Sequence, residues 1–364
     1  MPANHRLIPD DLGELADGRP GPELLQRLRA AQSSKNKLLF EALRRRAADP
    51  DLDDLFRDIE RAERLDPPAA HAPFSRPSAG VWAVHSLRLL TAGGRPDPAH
   101  FATLSAPNDA PVLRAQHGDA RIQIALDGLD PFLDVYGCPV DVPQHAELAL
   151  WRERFAACWR LLVTFHPRTA AAVQAGISTI VPLRSGPNGE VVSATFGSAF
   201  GAVGLSLPAD PLAFAENLVH EFQHLVLVAI DDLAPLTDGA GRTRYAPWRD
   251  DPRPLPGRLH GCFAYLGICA FWRRHRRCGP EADRALADRR LARWVTPTLQ
   301  TVRELRTDPA LTDVGRVLGS AMEERLSAWA DQLAGPGGVP ADVLREADAA
   351  AASHRALHRD GARS

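Results

Sequence analysis

His220, Glu221 and His224 stand at i, i+1 and i+4 within Glu216-Asn217-Leu218-Val219-His220-Glu221-Phe222-Gln223-His224-Leu225. Two histidines four apart on a helix share a face, so their imidazoles can hold one metal ion. The carboxylate of Glu221 then sits beside that ion, as in the His-Glu-x-x-His metalloenzymes. Glu216, four residues before His220, is on the same stripe and is a candidate to orient an imidazole from behind. The plain alternative is a pair of hydrogen-bonded, inert histidines. The surrounding residues weigh against it: Leu212, Phe214, Ala215, Leu218, Val219, Phe222, Val226 and Ile230 make a broad apolar surface. Imidazoles and a carboxylate buried there need partners, and a metal would be one.

Two histidines leave a metal site incomplete. A catalytic zinc takes a third protein ligand, and a non-haem Fe(II) oxygenase takes three facial ones. His260 is the expected third ligand. It lies 260 − 224 = 36 residues after His224, at the start of the next helical pattern. An antiparallel helix pair would return it to the motif. Asp231 and Asp232 are weaker choices, two turns beyond His224. His275 reads as part of the solvated basic run 273–277, His166 as a helix-end residue, and His117 and His145 as loop residues. Arg249 and Arg253 lie on a Pro-rich loop between the two helices. The guanidinium fork suits a carboxylate, either that of an oxo-acid co-substrate or of the neighbouring Asp250 and Asp251.

The elements that must position these residues are mainly helical. Asp210-Pro211 predicts a capped start for the motif helix. Further helices are expected at 21–48 (with a break at Ser33–Asn36), 51–65, 81–90, 148–165, 259–276, 281–295, 309–333 (begun by Asp308-Pro309) and 340–358. Strands are expected at 121–126, 178–183, 191–196 and 202–207. Asn188-Gly189 between the second and third predicts a hairpin. The expected class is α+β: a metal-binding helix pair beside a short antiparallel sheet, not a double-stranded β-helix. Residues 1–110 read as an N-terminal helical region and 111–364 as the metal-binding catalytic region, the two able to form one continuous domain.

Composition removes several function classes. The net charge of −2 gives no case for nucleic acid. Only Lys35 and Lys37 are lysines, so the many arginines reflect codon usage rather than anion binding. Five cysteines without a Cys-x-x-Cys argue against a disulfide framework or thiolate zinc site. With no signal-peptide pattern and no membrane-spanning run, a cytoplasmic protein is expected.

Three segments together carry a resemblance: Leu218–His224, then Pro247-Trp248-Arg249-x-Asp251-x-Arg253-Pro254, then Leu259-His260-Gly261-x-Phe263-Ala264. The pattern resembles the HExxH-motif family of peptide-modification proteins in ribosomal peptide natural-product (RiPP) biosynthesis. A looser likeness reaches Ser206-Leu207-Pro208 and Arg27–Leu39. The resemblance implies a dioxygenase dependent on Fe(II), 2-oxoglutarate and O2 that hydroxylates a side-chain β-carbon of a ribosomal precursor peptide. It would place His220, His224 and His260 on the iron, Arg249 or Arg253 on 2-oxoglutarate, and Glu221 as a base or hydrogen-bond acceptor beside the metal. A radical-SAM maturation enzyme would be a natural partner. Two other readings stay open: a zinc metallopeptidase with Glu221 as general base, and a non-catalytic peptide-binding partner with a structural metal.

Overall fold

The computed structural model describes residues 7–47, 50–65, 73–97, 109–128 and 139–359. The chain makes two compact units. One gathers Leu25–Trp159 and Gln174–Phe214; the other gathers Arg6–Leu24, Arg160–Val173 and Ala215–Ser364. The fold is mainly helical with one small sheet, an α+β class and not a double-stranded β-helix.

The first unit holds the sheet: β1 (Val112–His117), β2 (Ala120–Leu126), β3 (Thr179–Pro182), β4 (Ser193–Thr195) and β5 (Ala202–Leu205), in the order β1-β2-β3-β5-β4. β1–β2 and β4–β5 are antiparallel, whereas β2–β3 and β3–β5 are parallel. The sheet is therefore mixed, not antiparallel as its hairpin signal suggests. The predicted hairpin of 178–183 with 191–196 does not form; β5 lies between the two. Burial explains the choice. Every residue of β3 and β5 is buried, while β4 is only half-buried and takes the edge. Gly189 still turns the chain, at φ +78°. Apolar residues of helices α2 (Pro22–Ala47), α3 (Pro50–Leu65) and α4 (Pro77–Thr91) form a core with Val181, Leu183 and Ala202 of the sheet. Phe40 anchors it, with ring centroids 5.1 Å from both Phe74 and Trp82. The expected break in α2 is absent. Asn36 is buried in mid-helix, where its Nδ2 donates to the Phe74 carbonyl at 2.8 Å without interrupting the backbone ladder.

Helices α5 (His145–Phe165) and α6 (Pro167–Gly176) pass from one unit to the other, and α7 (Pro211–Leu233) begins in the first and runs through the second. The rest of the second unit is α1 (Pro9–Ala16), α8 (Leu255–Cys278), α9 (Arg284–Leu305), α10 (Asp313–Ala334) and α11 (Ala341–Arg359). α8 packs on α9, and α9 on both α10 and α11. Phe263, Leu266 and Phe271 of α8 are almost fully buried, each worth roughly 2 kcal/mol of apolar burial. α10 starts later than Asp308-Pro309 predicts. Asp308 instead accepts from the backbone N–H groups of Arg242 (3.0 Å) and Ala310 (3.1 Å), and Thr312 caps the helix by accepting from Gly315 at 3.1 Å. Among the described residues, no helix is long and apolar enough to cross a membrane.

Candidate metal centre

α7 starts as its sequence predicts. Asp210 Oδ1 accepts from the N–H groups of Leu212 (2.9 Å) and Ala213 (2.8 Å), with Pro211 at the first helical position. Leu218, Val219, Phe222, Leu225 and Val226 bury the apolar face. On the adjoining stripe His220 Nε2 and His224 Nε2 face each other at 3.3 Å. Two ligands at a tetrahedral angle on a metal with bonds of about 2.0–2.1 Å are about 3.3 Å apart, so the spacing of this pair fits an ion.

α8 brings the third histidine. Its contacts with α7 pair Glu216 with Trp272, His220 with Tyr265 and His224 with His260. One index falls as the other rises, so the helices run antiparallel, as the spacing predicts. Two glycines of α8 permit close approaches, one to α7 and one to Trp248. A Cβ at Gly267 would collide with Gln223 of α7, and one at Gly261 with the indole of Trp248. Gln223 itself donates from Nε2 to the Gly18 carbonyl at 2.7 Å, tying the motif helix to the segment after α1. His260 stacks on His224 with ring centroids 5.9 Å apart and planes 17° apart. It stands wider than the first pair. Among the described residues, the group of three whose candidate ligand atoms all lie within 4.8 Å of one another is a different one, Asp250, His354 and His358.

The electrostatics suit ligands. Burial lowers the pKa of all three imidazoles, that of His224 farthest, where the proximity of His220 and His260 adds to it. Each is held neutral, with a nitrogen lone pair to offer. Glu221 is buried, with Oε1 4.0 Å from His220 Nε2. Glu216 does not orient an imidazole. It accepts from Trp272 Nε1 at 2.9 Å and faces Arg290 at 3.3 Å, because α8 presents the indole on that side. Asp231 caps the end of α7 by accepting from the Leu236 N–H at 2.7 Å.

The facing pair of His220 and His224 is thus flanked by His260, stacked on His224, and by Glu221, 4.0 Å from His220. Arg249 and Arg253 meet elsewhere, on Asp251: Arg249 Nε at 2.7 Å and Arg253 Nη1 at 3.1 Å. Those hydrogen bonds, the one from Arg249 foremost, hold the Asp251 carboxyl below its usual range. Their loop is anchored by Trp248, which packs on Gly261 beside His260 and stacks on Tyr265 with centroids 5.3 Å apart.

No protein-family model and no curated protein matches the chain.

Sequence reasoning passed over Tyr265 and Trp294, whose rings lie 4.2 Å apart and continue the aromatic wall from Trp248 to His220. Tyr265 falls five residues after His260, and only the return path of α8 shows that it faces the motif. The exposed basic face expected around His275 is also corrected. His275 is buried, with Nδ1 3.1 Å from His166 Nε2 and Nε2 2.9 Å from Asp283 Oδ2. Its neighbours Arg274 and Arg276 are held too, by the Phe165 carbonyl and by Asp288. Residues 273–276 are thus polar in sequence but paired in space.

Proposed function

We propose that the protein is an Fe(II)- and 2-oxoglutarate-dependent oxygenase that hydroxylates a side-chain β-carbon of a ribosomal precursor peptide. The observation that carries the metal assignment is the facing pair of His220 and His224 nitrogens with His260 stacked alongside on the antiparallel helix. The choice of iron and an oxo acid over zinc rests on the three-part likeness of residues 218–264 to the HExxH peptide-modification proteins.

Bound iron would supply C–H oxidation by O2, with one oxygen atom entering the peptide while the oxo acid leaves as succinate and CO2. The chain's own residues do the rest. His220 and His224 would hold the iron through Nε2, with His260 as the third ligand. Three protein ligands leave positions open for co-substrate and oxygen. Glu221 accepts a hydrogen bond at the edge of the centre. Arg249 and Arg253, which pair with Asp251 in the structure, would exchange that carboxylate for the distal one of the co-substrate. The wall of Trp248, Tyr265 and Trp294 excludes water and offers a surface for peptide side chains. A soluble cytoplasmic setting and a radical-SAM maturation partner accord with this reading.

The test is mass spectrometry of the cognate precursor peptide after reaction with Fe(II), 2-oxoglutarate and O2. A gain of one oxygen atom, absent without the oxo acid, is expected. An unmodified peptide contradicts the proposal. The buried carboxylate of Glu221 beside His220 favours a second reading, a zinc metallopeptidase. Peptide cleavage lost on Glu221→Gln would establish that one instead.

A further inference from the structure

The loop that carries Arg249 and Arg253 meets a second pair of histidines. His354 and His358 of α11 have the same i, i+4 spacing as His220 and His224. Their ring centroids are 4.5 Å apart. Asp250 Oδ1 lies 3.4 Å from His354 Nε2 and 3.3 Å from His358 Nε2. We propose that Asp250, His354 and His358 form a second metal site, for a divalent transition ion of the zinc class, distinct from the His220–His224–His260 centre.

Three observations support it. The first is spacing. Both imidazole-to-carboxylate separations match the edge of about 3.3 Å expected between ligands tetrahedrally arranged at about 2.0–2.1 Å from an ion. The second is the partner behind the ligand. Tyr245 Oη lies 2.7 Å from His354 Nδ1, the nitrogen turned away from Asp250. When Nδ1 donates to that oxygen, Nε2 keeps its lone pair for a metal, the arrangement that ligating histidines generally have. The third is position. Asp250 is exposed, and the imidazoles are only 19% and 24% exposed. An ion pair with so exposed a carboxylate is a weak reason for two side chains to converge on it. A metal is a stronger one.

The donor set selects the ion. Two imidazoles and one carboxylate suit zinc, cobalt, nickel or copper rather than magnesium or calcium, which prefer all-oxygen sites. Three protein ligands leave a fourth position for water. Arg355 supports the same approach of α11. Its guanidinium lies over the Tyr245 ring at 4.9 Å and pairs with Glu304 at 3.3 Å. A bound ion would clip α11 to the loop at Asp250, between the two arginines, and restrict how that loop moves.

The experiment uses the tag-free full chain, stripped of metal and dialysed to equilibrium against Zn2+. Wild type should bind two equivalents, His354→Ala/His358→Ala one, and His220→Ala/His224→Ala one. In the last background Asp250→Asn should weaken the remaining site at least tenfold, while Asp251→Asn leaves it unchanged. Circular dichroism checks that each variant is folded. If the His220 variant does not fold, wild type against His354→Ala/His358→Ala still decides. Equal stoichiometry and affinity in those two proteins overturns the proposal, as does an equal effect of Asp250→Asn and Asp251→Asn. One equivalent in wild type that survives loss of His220 and His224 supports the second site and counts against the first.

Discussion

α8 carries a histidine cluster near each end, and the two are built differently. At the C-terminal end His275 has both ring nitrogens engaged, one with His166 and one with the Asp283 carboxylate. Phe271 stacks on His166 with centroids 4.2 Å apart. That is a hydrogen-bonded chain closed by a carboxylate, and its polar groups are largely satisfied within the protein. At the N-terminal end two Nε2 atoms face each other at 3.3 Å, and the nearest carboxylate, Glu221, is 4.0 Å from His220. Each cluster holds a buried imidazole with a lowered pKa, His166 in one and His224 in the other, so burial and pKa alone do not separate a ligand set from a structural one. What separates them is the reach of the carboxylate. Asp283, at 2.9 Å, takes a hydrogen bond from His275 and fastens that pair, whereas Glu221, at 4.0 Å from His220, leaves the Nε2 atoms of His220 and His224 facing each other.

The comparison breaks most sharply under His224→Ala. Loss of an outer partner of a ligand costs about 10–100-fold in metal affinity. Loss of the ligand itself should exceed about 100-fold and abolish turnover, with little change in the unfolding curve of the metal-free protein. Metal titration and chemical denaturation measure the two effects. His275→Ala should do the reverse. It leaves the ring of His166 and the carboxylate of Asp283 without their partner and opens a cavity, costing about 2–4 kcal/mol of stability. Metal affinity should be unchanged. If His275→Ala instead weakens metal binding while stability holds, the two clusters have been assigned the wrong way round.

A smaller effect comes from pH. Burial, then His275, Arg274 and Arg19 nearby, lowers His166 to about 3 from an ordinary value of 6.5. The folded state thus favours neutral His166. The stabilisation is fully present above pH 6.5 and is lost as pH falls from there towards 3. By pH 5 the loss should amount to roughly 2 kcal/mol. Denaturation of the metal-free protein between pH 7 and 5 measures it, and His166→Phe should flatten the slope.

The motif helix was legible in the sequence because its signals are local. Asp210 and Pro211 set the start, the apolar spacing set the buried face, and 3.6-residue periodicity put His220 over His224. The return of His260 was legible because an antiparallel helix pair brings the start of the next helix back to the motif. Other features depend on pairings that spacing does not encode. β5 displaced β4 from β3 because its residues are uniformly buried, which outweighed the local turn at Asn188-Gly189. Thr312 took the cap expected of Asp308 because that carboxylate was committed to the Arg242 and Ala310 N–H groups. His275 sits in a basic run, and only its distant partners His166 and Asp283 show that it is buried. The His354-x-x-x-His358 spacing was visible, but its meaning needed Asp250, more than a hundred positions away in the chain.

The central claim is that the N-terminal cluster of α8 and α7 is an iron and oxo-acid site. The most direct measurement loads metal-free protein with Fe(II) without oxygen and titrates 2-oxoglutarate, following the visible charge-transfer band of a chelated 2-oxo acid. The account predicts a saturable band in wild type, lost in His260→Ala and shifted to higher 2-oxoglutarate concentration in Arg249→Ala or Arg253→Ala. No band in a wild-type protein that binds Fe(II), or a band untouched by removing His260, would contradict it.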